Sequence, residues 1–183
     1  MRLIAAGLLP RYHAATLEAV NPAVREQIAA YLERLDEHIA RGNGLLLAGD
    51  TGTGKTMAMA LIAMQADRRG HGFGFVYAAD VYSAMRRRDP DALDYLVALR
   101  RTPLLLFDEF ASPYTSDMTI GDLEALIEHR HAMMRATCIA TNLSLKRLQK
   151  MPEWARIYDR LREDCWPPGK AIVIPGGTQR GQA

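Results

Sequence analysis

Cysteine is scarce: Cys138 and Cys165 are the only two in 183 residues. Two isolated thiols exclude a disulfide framework and a zinc knuckle, and they suit reduced side chains in a cytoplasmic protein. Long apolar runs are absent as well. No stretch approaches the roughly 20 residues needed to span a bilayer, and Met1–Leu9 is too short for a secretory signal with its cleavage site. The expectation is a soluble, cytoplasmic protein with no membrane partner. Repeats and low-complexity segments are also missing. So is an excess of one charge: the formal net of +2 excludes a histone-like polycation but leaves nucleic-acid binding open.

The balance hides a segregation. Lys146 to Arg180 holds eight bases and four acids, a net of +4, while the first 145 residues hold 15 bases and 17 acids. A basic end on an acidic body fits either an anionic partner or a solvated surface. Apolar residues at 49% and charged residues at 24% are those of a folded domain, and the length suits one.

Residues 1–21 read as an irregular lead. Asn21-Pro22 is a helix start, a side-chain cap followed by proline, and the helix runs to Arg41 with Gly42 as its stop. Five short apolar runs then alternate with helical stretches. The runs are 45–48, 73–77, 104–107, 137–141 and 171–174. The helices are Lys55–Arg69, one capped by Asp80 and running through Arg88, Asp91–Arg101, Thr119–Met134, and two split near Pro152. A loop with Pro113 follows the third strand. This alternation implies an α/β fold: a five-stranded parallel sheet flanked by helices.

Gly49-Asp50-Thr51-Gly52-Thr53-Gly54-Lys55-Thr56 fits G-x-x-x-x-G-K-[ST] between a strand and a helix, the pattern of a P-loop. Its glycines let backbone N–H groups curl around phosphate oxygens, and the helix N-terminus adds its dipole. Lys55 reaches the β- and γ-phosphates of a nucleotide such as ATP, and the Thr56 hydroxyl is a ligand for Mg²⁺. Asp108-Glu109 ends the third strand, where α/β sheets place ligands. Asp108 suits Mg²⁺, and Glu109 suits polarisation of an attacking water. At the end of the fourth strand, Asn142 can bond that water or the phosphate, or cap the next helix, with Ser144 as the other available cap. His129 and His131 are two apart on a helix and share no face, so no metal site is expected there. Trp154 and Trp166, and Met57, Met59 and Met64, are expected in the packing.

Together with Arg156-Ile157-Tyr158-Asp159-Arg160-Leu161, these motifs resemble the AAA+ ATPases, and within them the DnaC/IstB-like group of helicase loaders and transposition ATPases. Leu9-Pro10-Arg11-Tyr12, Ala79-Asp80-Val81, Arg130, Arg135 and Gly176-x-Thr178-x-Arg180 extend the likeness over residues 8–180. The resemblance implies a lead over 1–20, with Arg11 and Tyr12 lining an adenine pocket or serving as a strap, and a single ATPase core over 21–183 without a separate lid. It implies a homo-oligomer in which Arg160 is an arginine finger on a neighbour's ATP and Arg156 a second interface arginine. The residues themselves also allow surface ion pairing with Asp159, Glu163 and Asp164. It places Tyr82, Arg86, Arg87 and Arg88 in the helix that contacts single-stranded DNA in related proteins, although a solvated helix end accounts for the arginines equally well. The implied partner is a replicative helicase or a transposase. The group commonly has glycine just after the acidic pair, where this chain has Phe110-Ala111, and the P-loop's start at Gly49 leaves no space for an N-terminal helicase-gripping domain. The alternative from another class is a small-molecule P-loop kinase. It should carry an Arg-rich lid and often lacks the catalytic Glu, so Glu109 and the arginine pair favour the ATPase.

Overall fold

The computed structural model describes residues 2–111 and 117–176; Pro113 and the end of the Gly176-x-Thr178-x-Arg180 pattern lie outside them. The five apolar runs form strands β1 (Leu46–Ala48), β2 (Phe73–Tyr77), β3 (Leu104–Asp108), β4 (Ala136–Thr141) and β5 (Ile172–Val173). All pair in parallel, in the order β2-β3-β4-β1-β5. Helices cover both faces, which is why the strands read as unbroken apolar runs. Leu47, Leu104, Leu106, Cys138 and Ala140 enter one core; Leu46, Leu105, Phe107 and Ile139 enter the other. The register brings Tyr77 level with Asp108 and Ala48 level with Thr141. The functional positions therefore end on one edge of the sheet.

The first core is filled by α4 (Lys55–Arg68), with Ala58 through Ala63 nearly all inaccessible, and by the helices that precede β1. The expected helix over 22–41 is a 3₁₀ turn at Pro22–Val24, then α2 (Arg25–Glu33) and α3 (Leu35–Arg41). The break is at Arg34. There the Leu32 carbonyl accepts a hydrogen bond from Arg69 Nη2 at 2.7 Å, and a side chain entering the helical ladder interrupts it. Asn21 caps the turn as expected, accepting from Ala23 N–H at 3.0 Å.

The lead is more ordered than its sequence suggests. A short helix, α1 (Arg2–Ala5), precedes a 3₁₀ turn at Pro10–Tyr12. Between them the Ala6 carbonyl accepts from Phe75 N–H at 2.6 Å, and Leu8 is fully buried. The segment covers the β2 edge of the sheet, an edge that would otherwise present unpaired backbone groups. The signal is a backbone contact and carries no periodicity, so it leaves no mark in the sequence.

The second core lies under α5 (Ala78–Arg87), α6 (Pro90–Arg101), α7 (Asp117–Ala132), α8 (Leu145–Lys150) and α9 (Pro152–Glu163). α5 follows β2 without a linker, so Asp80 stands in its first turn and does not cap it; a carboxylate there still favours the helix dipole. Asp89 caps α6, accepting from Ala92 N–H at 2.8 Å, which starts that helix one residue early. Trp154, Ile157, Tyr158 and Leu161 form the buried face of α9 at helical spacing. Trp154 meets Phe110 edge-on, and the P-loop helix methionines Met59 and Met64 are buried, both as expected for packing residues.

Arg130 on α7 is the one fully buried arginine among the described residues. Its guanidinium donates to the Leu99 and Thr102 carbonyls at 2.6 and 2.8 Å, to the Ala136 carbonyl at 2.6 Å and to Thr137 Oγ1 at 2.9 Å. It thereby ties α6, α7 and β4 together. No helix among the described residues is long and apolar enough to cross a membrane.

Candidate nucleotide-binding site

The loop from Gly49 to Gly54 leaves β1 at the C-terminal edge of the sheet and closes on α4. Glycine is required at both its ends. A Cβ on Gly49 would stand 2.5 Å from the Ile174 carbonyl oxygen, and Gly52 and Gly54 take φ of 85° and 94°, in the left-handed region that side chains disfavour. Gly54 leads straight into α4 with no side-chain cap, so the first N–H groups of that helix face the loop. Lys55 is buried, and burial pulls its ammonium below the ordinary lysine value against the pull of Asp108, Asp50 and Glu109. Its Nζ donates to the Gly49 and Asp50 carbonyls at 2.7 and 2.8 Å. A cation already held inside the curl of the loop is placed to meet phosphate oxygens.

Thr56 and Asp108 meet across the site. Thr56 Oγ1 donates to Asp108 Oδ2 at 2.7 Å, while Asp108 Oδ1 accepts from Glu109 N–H at 2.9 Å. Asp108 is buried, and burial raises its carboxyl above the usual carboxylate range, with Thr56, the Glu109 N–H and Lys55 all opposing the rise. A half-buried hydroxyl beside a buried carboxylate fits Mg²⁺, which keeps waters and phosphate oxygens as its other ligands. Glu109 is exposed, with φ of 56°. That backbone turn directs the chain out of β3 while Phe110 N–H bonds the Ala140 carbonyl at 2.8 Å. Phe110 itself is buried between Phe107 and Trp154, and Ala111 carries φ of 64°. Ala111 is thus held in a conformation that favours glycine.

Asn142 lines a cleft of about 470 Å³ beside Gly49 and Asp50, together with Ser144, Lys146 and Gly176. Ser144 caps α8 by accepting from Arg147 N–H at 3.3 Å. The Asn142 amide is left without a hydrogen bond among the described residues, so it is not the cap.

Arg11 stacks on Tyr12 at 5.1 Å, and Tyr12 packs against the core beside α4. The lead touches the P-loop through Asn21, whose Nδ2 donates to the Thr53 carbonyl at 3.2 Å. Arg156 and Arg160 lie on the exposed side of α9 and bond α7, Arg156 to Glu124 at 3.3 Å and Arg160 to Glu128 at 2.8 Å; Arg160 also bonds Glu163 of its own helix at 2.9 Å. Of the acids expected to face them, only Glu163 does; Asp164 instead bonds His131 at 2.8 Å. Arg86 is exposed, Arg87 pairs with Asp89 at 3.1 Å and Arg88 with Asp122 at 2.8 Å. Tyr82 requires a correction. It is buried, its ring against Phe107 and its Oη accepting from Ala111 N–H at 3.3 Å, so it presents no face for a base to stack on.

Tyr77 was not expected here. It stands level with Asp108 at the end of β2, and its Oη is buried with no hydrogen-bond partner among the described residues. Burial, then the fields of Tyr12, Asp108 and Glu109, push its phenol up to about 12. It is a neutral donor beside the acidic pair. Two parallel strands ending together were the available signal, since they bring Tyr77 and Asp108 to one edge.

The comparisons with known proteins agree with this geometry. The DnaC helicase loader structure is similar with a TM-score of 0.72 and 18% identity, over 92% of this chain and all of that one. The DnaI structure gives 0.72 and 25% identity over 94% of each chain. A replication initiator DnaA bound to AMPPCP and single-stranded DNA gives 0.67 and 21% identity over 92% of this chain and 50% of that one. No curated protein matches the chain. The fold is thus that of the P-loop AAA+ proteins, and residues 13–163 match the family described as IstB-like ATP binding protein. The chain belongs to that family of ATP-binding proteins.

Proposed function

We propose that this protein binds and hydrolyses ATP with Mg²⁺ and works as a homo-oligomer in DNA replication, in the manner of a helicase loader. The observation that carries the reading is the Thr56–Asp108 contact at 2.7 Å beside the P-loop, with Glu109 exposed next to it. Lys55 would exchange the Gly49 and Asp50 carbonyls for β- and γ-phosphate oxygens. Thr56 and Asp108 would hold Mg²⁺, which screens the phosphate charge. Glu109 would accept the proton of the attacking water, and Asn142, with an uncommitted amide, would orient that water or the γ-phosphate. Tyr77 supplies a neutral donor on the Asp108 side.

The likeness to the DnaC helicase loader and to DnaI supports the replication role, and the likeness to a DnaA bound to single-stranded DNA supports DNA as a ligand. Arg86, exposed and without an ion pair among the described residues, is the side chain available for phosphates, and binding through it should weaken with salt. The family match favours a second reading, an ATPase that serves a transposase.

The test begins with Lys55→Ala, which should abolish binding in a titration with fluorescent ATP analogue; affinity equal to wild type overturns the site. The homo-oligomer makes a further demand. Arg160 is bonded to Glu128 and Glu163 in its own chain, so it must leave them to act on a neighbour's ATP. Arg160→Ala and Lys55→Ala proteins, each inactive, should recover turnover when mixed, because one supplies the loop and the other the arginine. A mixture as inactive as its components removes the finger from Arg160.

A further inference from the structure

α6 carries an aliphatic stripe that packs only partly. Ala92 and Leu99 are buried, whereas Leu93 is 51% and Val97 38% exposed one helical turn apart. Together with Leu96 they wall a groove of about 210 Å³ between α5, α6 and α7, floored by Met85 and Leu126, which are both buried. The groove ends are charged. Arg88 on one wall is committed to Asp122. Arg100, one turn beyond Val97, has no ion pair among the described residues, and its Nε is buried without an acceptor. A guanidinium nitrogen taken from water and left unpaired carries a desolvation penalty that an incoming carboxylate relieves.

We propose that this groove docks an amphipathic helical segment of a partner protein, two of its aliphatic side chains entering between α6 and α7 and an acidic side chain meeting Arg100. Leu93, Val97 and Arg100 share one face of α6, so the groove runs along a helix with an aliphatic wall and a cation at its end, and a helix laid in it would offer aliphatic anchors three or four residues apart with an acid beside them. The walls and floor are aliphatic, and the neighbouring Tyr82 ring is buried, so the groove lacks the aromatic platform on which bases stack. Asp122 on the rim also opposes a phosphate backbone. The proposal is independent of the nucleotide site, since no residue of the groove belongs to it.

The probe is a displayed library of helical peptides selected against the full chain, followed by anisotropy titration of a synthetic peptide from the enriched set. Enriched peptides should share two aliphatic residues three or four apart and an Asp or Glu beside them. Val97→Asp and Arg100→Glu should each weaken the peptide by about tenfold or more, and a peptide with its acid changed to Lys should regain affinity for Arg100→Glu. Both positions are partly exposed, and circular dichroism and ATP-analogue binding equal to wild type confirm that the variants fold. The proposal is overturned if no peptide is enriched, or if Arg100→Glu binds the peptide as wild type does. It is also overturned if an oligothymidylate displaces the peptide by occupying the groove, or if Val97→Asp abolishes self-association, which makes the groove a contact between copies.

Discussion

Glu109→Gln should leave ATP bound and nearly stop its hydrolysis. Glutamine keeps the length of the side chain and its hydrogen bonding but cannot take a proton, so the change isolates general-base function from binding. Such a base contributes about 10²–10⁴ in rate, and turnover should fall by that factor while nucleotide affinity holds. The local structure favours a clean experiment. The backbone at Glu109 is held on both sides, by its own N–H on Asp108 Oδ1 and by Phe110 N–H on the Ala140 carbonyl, and neither bond uses the Glu109 side chain. The side chain is exposed, so the substitution unburies nothing. Phosphate release at saturating ATP measures the chemical step, and a fluorescent-nucleotide titration measures binding. Turnover within about threefold of wild type removes the base role from Glu109. A parallel loss of affinity would place the residue in binding instead.

The parts of this site that the sequence made legible are those whose chemistry is local. A P-loop is eight consecutive residues, and its glycines are dictated by the backbone that must curl there. Asp108-Glu109 were readable because they close a short apolar run that follows a P-loop in an alternation of strands and helices. What stayed hidden depends on distant pairing. Tyr77 reaches the acidic pair because β2 and β3 are in register; nothing near Tyr77 in the sequence announces that neighbour. Asn21 was readable as a cap, and its second bond, to the Thr53 carbonyl, spans 32 positions. The split at Arg34 comes from Arg69, far along the chain. Tyr82 was misread for the opposite reason. The resemblance placed it in a helix that contacts DNA in related proteins, but its helical phase turns it to Phe107 and the core. The arginines of α9 show both sides: the sequence placed them on an exposed face, while their main acidic partners come from α7 and not from their own helix.

Arg130 is the residue whose loss should cost the fold most. The sequence marked it only by resemblance, and its work is structural. It donates to three backbone carbonyls and one hydroxyl, and burial brings its guanidinium down to about 9, leaving it charged at neutral pH. Alanine would abandon all four acceptors in the interior and open a cavity between α6, α7 and β4. At about 1 kcal/mol or more for each buried carbonyl left unpaired, the expected loss is roughly 3–5 kcal/mol, a large part of the stability of a domain this size. The midpoint of thermal unfolding should fall by about 6–20 °C on the usual scale for 150–250 residues. Lysine separates charge from geometry. It keeps the cation, but a single ammonium cannot reach acceptors spread over three elements, so Arg130→Lys should lie between wild type and alanine, closer to alanine. Urea and thermal melts of the three proteins provide the measurement. If Arg130→Ala melts within about 2 °C of wild type, the guanidinium network contributes little net stability and water takes its place at the carbonyls. If Arg130→Lys matches wild type while alanine is destabilised, the charge matters and the fork of donors does not.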